Sequence, residues 1–428
     1  MSELTSAFAL SVLGSSALMT DFMGDQVPLP DGVRDVLPVE AAELSALETS
    51  LMGVFSSFGY REVRTPLIEF SDVVDRGQDQ GIGRAYRRFD DQGRVLVLRP
   101  DLTIPIARLI ATRMADEPGP VRVSYAARAV RPPSAGTGQG AERRQVGIEL
   151  AGAGGAEDDA EVIAALAAAL QAAGLEQPQV AIGSVALVDA VLDAVDADQD
   201  ARDALWGALQ GRSMVAWANE TRRVRRARGR LGALLAQLPN LRGGGELLTR
   251  IAKIAPAAAA ECARLLHTLD LVAAYGAPAP MIDLGVVRDW NYYSGVVIEA
   301  YAPGASAPVA VGGRYDALGA RFGRPRPAVG VAVTLDLLHH AVGVPEGHEP
   351  RGVLVVGGSD TRVTAAAMLR ATGIPVVGVL AAYAGPEEFA RTQGLRYVAR
   401  PMKSGWKVVD VTDGVATRIA SLEEGPWI

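Results

Sequence analysis

Leu44, Leu47, Leu51, Val54 and Phe55 recur at three- and four-residue intervals, the stripe of an amphipathic helix. They predict one from Pro38 to Phe58, ended by Gly59. Ahead of it, PLPDGVRDVLP sets prolines 28, 30 and 38 around an Asp-Gly turn, the chemistry of an arm laid across a surface. YREVRTPLIE alternates as a strand does, and VLVLRP, Val95 to Pro100, is the short apolar run of a buried strand. TIPIARLIATRM returns to helical spacing, with Thr103 as candidate N-cap and Pro105 in the first turn, where a missing N–H costs little. VRVSYAARAV and RRQVGIELAG predict two strands joined by the aperiodic loop PPSAGTGQGAE.

An Ala-rich helix, Asp158 to Ala173, and the strand PQVAIGS come next. From about Asp189 to Tyr275 the pattern is helical, in LWGALQ, LGALLAQL and CARLLHTLDLVAAYG, with turns such as LRGGGE between them. Strands resume in MIDLGVVR, VVIEAYA, PVAVGG and AVGVAVT, and LDLLHHAV closes the region as a helix. A helical block therefore interrupts a mostly β segment as an insertion rather than a repeat. Beyond the polar linker VPEGHEPRG, the runs RGVLVVGGSD, VTAAAMLRATG, IPVVGVL, PEEFARTQG and YVARP predict a small βαβ-type unit. The expected domains are a flexible extension 1–27, a core 28–345 carrying the insertion 189–275, and a small α/β unit 351–428.

A chain of 428 residues exceeds one ordinary core, and 49% hydrophobic with 21% charged residues excludes disordered and fibrous classes. Cys262 is the single cysteine, so no internal disulfide forms; with no CxxC and four scattered histidines there is no metal-ligand spacing. No metal is expected, and a reducing, cytoplasmic location is. No apolar run reaches the roughly 18 residues of a spanning helix, so no membrane partner is expected. FALSVLGSSALM has the look of a secretory core, but Glu3 and no Lys or Arg precede it; a loose extension or a start-site artefact fits better, since Met19 and Met23 both precede the first structured-looking segment.

Net charge −7 gives a whole-molecule field that repels polyanions. The local exception is TRRVRRARGR, Thr221 to Arg230, readable as a solvated basic helix face, a patch for an acidic partner, or a nucleic-acid contact. VLVVGGSD lacks GxGxxG and GK[ST], so no nucleotide cofactor is expected.

FSSFGYREVRTPLIE, LRPDLTIPIAR, the pair RAVRPP and RRQVGIELAG, and RDWNYYSG with VGGRYD resemble, in this order, the core of histidyl-tRNA synthetase, a class II synthetase. The resemblance covers about Pro28 to His340. It implies an α+β fold: a class II aminoacyl-tRNA synthetase-like antiparallel sheet flanked by helices, with the helical insertion and the small C-terminal α/β unit. The short C-terminal unit and LPNLRGGGE look more like the paralogous ATP phosphoribosyltransferase regulatory subunits of histidine biosynthesis. That implies no catalytic residues in this chain, a short-form ATP phosphoribosyltransferase catalytic subunit as partner, feedback inhibition by histidine as ligand, and a homodimer within a hetero-octamer. Class II domains pair through the first motif, here near Tyr60 to Glu69.

The resemblance also implies a histidine pocket. Asp101 and Thr103 match the residues that meet the ammonium group, Arg128 the arginine near the carboxylate, Gln145 a polar contact beside it, and Glu149 the imidazole acceptor. Arg288 and Tyr293, with Tyr292 beside them, match the contribution of RDWNYYSG. The chemistry fits independently: a zwitterion needs both a carboxylate and a guanidinium fork, here Asp101 and Arg128, and an imidazole needs an acceptor and a phenol. Strand alternation puts Gln145, Gly147 and Glu149 on one face, with Gly147 expected to leave space between them. Each residue also has a bland reading: helix capping for Asp101 with Thr103, a structural ion pair for Arg128 with Glu149, a packing turn for GGRYD, and Arg288 stacked on Tyr292 or Trp290 to seal a strand end.

The departures from the synthetase pattern bear on activity. Leu337 stands at the last-motif arginine, Ala141 at a loop arginine and Val130 at a glutamate, while Asp289, Trp290 and Asn291 replace Gly, Leu and Asp. Adenylation needs cations on the triphosphate, and one lost oriented donor costs about a hundredfold to a thousandfold in rate. A pocket that binds the amino acid without activating it is therefore expected. The alternatives are an active histidyl-tRNA synthetase and a stand-alone amino-acid sensor or tRNA-binding module.

Overall fold

The computed structural model describes residues 28–77, 85–133, 140–152, 154–224, 228–286, 292–343, 351–378 and 385–427. The extension 1–27, Arg288 with its neighbours 287–291, most of the loop joining the two central strands (134–139) and the linker 344–350 lie outside them. The chain divides into two compact units, Met1–Gly343 and Val344–Ile428.

The first unit opens with α1 (Pro38–Ser57), which buries Leu44, Leu47, Leu51 and Phe55. Each such side chain taken out of water stabilises the fold by roughly 1.5–3 kcal/mol. YREVRTPLIE is not one strand: β1 (Arg61–Glu62) and β2 (Ile68–Phe70) are separated at Pro66, which has no N–H for a ladder. Next come α2 (Ser71–Gly77), β3 (Arg87–Phe89), β4 (Val95–Leu98) and α3 (Thr103–Arg113), then the long strands β5 (Val121–Val130) and β6 (Glu142–Ala151). The Ala-rich α4 (Ala156–Ala172) and β7 (Gln179–Ser184) precede the insertion.

The insertion comprises α5 (Val185–Ala194), α6 (Gln199–Gln210), α7 (Met214–Arg223), α8 (Gly229–Gln237), the short β8 (Arg242–Gly243), α9 (Gly245–Ile254) and α10 (Ala259–Ala274). Strands β9 (Met281–Asp283), β10 (Val296–Tyr301), β11 (Ala310–Arg314) and β12 (Ala328–Thr334) follow, closed by α11 (Leu335–Val342).

Among the described residues the main sheet runs β1-β5-β6-β12-β11-β10-β7-β9-β8. Its central pairings are antiparallel, whereas β1 joins β5 and β9 joins β7 in parallel, so the expected antiparallel sheet is mixed at its flanks. The back face packs Val146, Ile148, Val331 and Ile298 on α1, α4 and the insertion in one continuous core. The front face packs Val123 and Tyr125 against Leu102, Ile106 and Ile110 of the α3 segment, with Tyr292 and Tyr315. A space remains between α3 and this front face.

The second unit holds β13 (Val353–Val355), α12 (Ser359–Ala371), β14 (Val376–Gly378), α13 (Pro386–Thr392), β15 (Tyr397–Pro401), β16 (Trp406–Asp410) and β17 (Ala416–Ile419). Its sheet order is β14-β13-β15-β16-β17, with β13 parallel to both neighbours and β16 and β17 adding antiparallel edges. No helix among the described residues is long and apolar enough to cross a membrane.

Candidate functional site

A cavity of about 120 Å³ opens on the front face, lined by residues from α3, β5, β6, β12, the Tyr292–Tyr293 segment and Leu337 of α11. Of the residues singled out in the sequence, Asp101, Thr103, Gln145, Tyr292 and Tyr293 border it. Asp101 is buried, and its Oδ1 accepts from the Ile104 N–H at 3.1 Å. Asp101, rather than Thr103, therefore caps α3. Capping uses only one oxygen: Oδ2 is buried and accepts no hydrogen bond. Burial pushes this carboxyl above its usual range, while the charge of Arg131 and the Ile104 N–H pull it back.

Thr103 turns its hydroxyl the other way and donates to Glu149 Oε1 at 3.1 Å. Tyr315 donates to Glu149 Oε2, and Tyr315 and Tyr293 both stand edge-on to Tyr292, with ring centroids 5.9 and 4.9 Å apart respectively. Glu149 is 1% exposed and lies behind the lining rather than in it. Its carboxyl is held at about 8: burial raises it, the bonds from Tyr315 and Thr103 pull it down, and the charge of Asp101 adds to the rise. The GGRYD turn is thus packing and site support together.

Gly147 does not leave open space. A Cβ there would meet the Tyr125 hydroxyl at 2.5 Å, so the missing side chain makes room for that phenol. Tyr125 borders the cavity, and its hydroxyl is buried without a hydrogen-bond partner.

Arg128 is not in this cavity. Along β5 the front face carries Val123, Tyr125 and Ala129, so Arg128 falls on the other face with Ala126. It pairs with Glu142 at 2.9 Å and borders a separate cleft of about 670 Å³ with Arg34, Arg144 and Asp336. The proposed pair of Arg128 with Glu149 is accordingly absent. The described guanidiniums that do border the cavity belong to Arg131 and Arg143, with Leu337 at its wall. Reading on in steps of two from Tyr125 would have found Arg131. Arg288 lies outside the described residues, and the tyrosines after it are the part of RDWNYYSG that the cavity shows.

Away from the cavity, Arg314 reaches Asp159 at 2.7 Å, and Arg264 pairs with the same fully buried Asp159. Among the described residues no cluster of His, Cys, Asp and Glu could hold a metal. The arrangement can receive a small molecule with a donor cation at Asp101, an anion at the arginines and a flat polar group among the tyrosines.

The histidyl-tRNA synthetase family model matches residues 32–338. The ATP phosphoribosyltransferase regulatory subunit of Moorella thermoacetica is 38% identical over 397 residues, 90% of this chain and 99% of its own length. The chain belongs to the histidyl-tRNA synthetase family, among its ATP phosphoribosyltransferase regulatory subunits. The regulatory subunit of Rubrobacter xylanophilus is 37% identical across 90% of this chain and 93% of its own. A solved family structure from Bacillus halodurans, described as an ATP phosphoribosyltransferase regulatory subunit/histidyl-tRNA synthetase, superposes with TM-score 0.78 at 31% identity, covering 88% of this chain and 98% of that one. Histidyl-tRNA synthetase of Nostoc sp. has the same TM-score, 0.78, at 19% identity over 93% of this chain and 97% of that one, and shows the shared fold alone.

Proposed function

We infer that the chain is the non-catalytic regulatory subunit of an ATP phosphoribosyltransferase and that its front-face cavity takes free histidine. The observation that carries this is near-complete coverage of the regulatory-subunit relatives, 99% of the Moorella chain at 38% identity. The site is consistent with it. Asp101 Oδ2 and the Tyr125 hydroxyl are buried polar atoms without partners, and such atoms are costly unless a ligand satisfies them. Leu337 offers a triphosphate no charge at the cavity wall. A partner of the short-form catalytic type would condense ATP with phosphoribosyl pyrophosphate in the cytoplasm, and a homodimer of this chain would form the centre of a larger hetero-oligomer.

Inhibition by histidine requires that it bind the inactive arrangement more tightly, since equal affinity for two states shifts neither. The test mixes the purified chain with the catalytic subunit and follows phosphoribosyl-ATP formation. Activity should depend on this chain and fall with histidine, and Asp101→Asn should weaken the inhibition while preserving the activation. Transferase activity indifferent to the chain would sink the reading. Histidine-dependent pyrophosphate exchange by the chain alone would establish the synthetase instead.

A further inference from the structure

We propose that Arg131 grips the ligand's α-carboxylate in the front-face cavity and thereby sets its preference for an amino acid over the corresponding amino alcohol. The proposal rests on the histidine reading above and assigns within it a residue that the family resemblance did not point to.

The two charged groups of an α-amino acid hang from one carbon, so their hosts must be held close together and on the same wall. Arg131 meets that requirement through its anchoring. Its Nε donates to the carbonyl of Pro100, the residue immediately before Asp101, so the guanidinium and the orphaned carboxylate oxygen are referred to one short piece of backbone. Main-chain bonds fix the base of the side chain: Val130 N–H donates to Arg99 O at 2.9 Å, and Arg131 N–H to Ala141 O at 2.8 Å.

Both Asp101 and Arg131 border the cavity, and the charge of Arg131 is felt at Asp101, yet Asp101 Oδ2 accepts no hydrogen bond. Opposite charges facing one small space without closing on each other define a zwitterion host. Arg143 also borders the space but springs from β6 opposite Ala129, not from the hairpin position next to the Pro100–Asp101 segment. Arg128 faces the other side of the sheet.

Histidine and histidinol, which differ in the carboxylate, separate these candidates by calorimetry on the full chain. Wild type should bind histidine about 10- to 100-fold more tightly, the range of a charge-assisted fork. Arg131→Gln should lose that factor for histidine and leave histidinol unchanged, so the ratio falls to about one. Arg131→Lys, which keeps the charge without the fork and serves if the Gln variant misfolds, should fall between. Arg128→Gln should keep the wild-type ratio.

A ratio that survives both Arg131 substitutions, or that collapses in Arg143→Gln instead, overturns the assignment while the histidine reading stands. Wild type that takes up no histidine at millimolar concentration removes the reading and the assignment together.

Discussion

The Tyr315 hydroxyl donates to Oε2 of Glu149, joining residues 166 apart in sequence just behind the cavity. The acceptor is a carboxyl that burial has raised to about 8, so at neutral pH it is held largely protonated. Tyr315→Phe removes the stronger of the two hydrogen-bond partners that favour its ionised form. Loss of a hydrogen bond to a buried acidic group costs about 1–3 kcal/mol, and urea unfolding should show a loss in that range. A variant as stable as wild type would mean that the bond contributes nothing net.

Glu149 also sets a pH dependence of stability. Its folded value of about 8 lies above the ordinary 4.5, so the folded chain binds more protons than the unfolded chain between those limits. Stability is then full below the unfolded value and declines as pH rises through the window to about 8, with a slope of roughly 1.4 kcal/mol per pH unit from this group. Glu149→Gln should flatten that slope in urea melts taken at pH 5, 6, 7 and 8. Parallel curves for the two proteins would exclude Glu149 as the source.

Gly330 is the floor beneath the same carboxyl. A Cβ at that position would lie 1.5 Å from Glu149 Oε2 and 2.6 Å from the Ile148 carbonyl, and the second neighbour is backbone that cannot swing away. Gly330→Ala should cost at least the 1–3 kcal/mol typical of overpacking, about the upper end or beyond, read from the midpoint of chemical unfolding. Gly330→Ala combined with Glu149→Ala should recover part of the loss, because the nearer clash is removed.

The sequence placed most elements because helix and strand periods are strong there. The stripe of α1 and the alternation of β6 carry their faces openly, so the sequence alone puts Gln145 and Glu149 on one face, as the register of β6 against β5 does. Arg128 follows from the resemblance alone, whereas its phase along β5 puts it on the face away from the cavity. Counting by twos from Tyr125 leads to Ala127, Ala129 and Arg131. Tyr125 is not legible from the pattern, because a glycine suggests empty space and Gly147 is instead small so that the phenol can fill the gap. The β16–β17 hairpin went unread although VDVTDGVATRI carries an Asp-Gly turn between β-branched runs, the usual local sign of a hairpin. Tyr315 was legible only as a turn residue, since nothing local tells that its hydroxyl meets Glu149.

Asp159 is fully buried and takes guanidinium contacts from both Arg314 and Arg264. Burial pushes its carboxyl up and the two arginines pull it down, so removing one leaves a charge that is only half compensated. Arg314→Met should destabilise the first unit by about 3–5 kcal/mol, the range for breaking a buried pair from one side. The double replacement Arg314→Met with Asp159→Asn should be less damaging than the single one. Equal losses in the two would show that Asp159 is compensated by Arg264 alone.

Asp101 does two jobs that one substitution separates. Oδ1 caps α3 through the Ile104 N–H, and asparagine caps a helix as well as aspartate does, so Asp101→Asn preserves that bond. Oδ2 is buried without a partner, and its ionisation is opposed by burial, so the neutral amide should leave the unfolding midpoint unchanged or slightly higher. What the amide cannot supply is the negative charge that the proposed contact with a ligand ammonium requires. A hydrogen bond to a charged group is worth about 1.5–3 kcal/mol, which converts to roughly a 10- to 100-fold loss of histidine affinity by calorimetry. Asp101→Ala, by contrast, should lose both the cap and the affinity. If Asp101→Asn bound histidine as well as wild type while Asp101→Ala lost stability, the carboxylate would be a helix cap and nothing more.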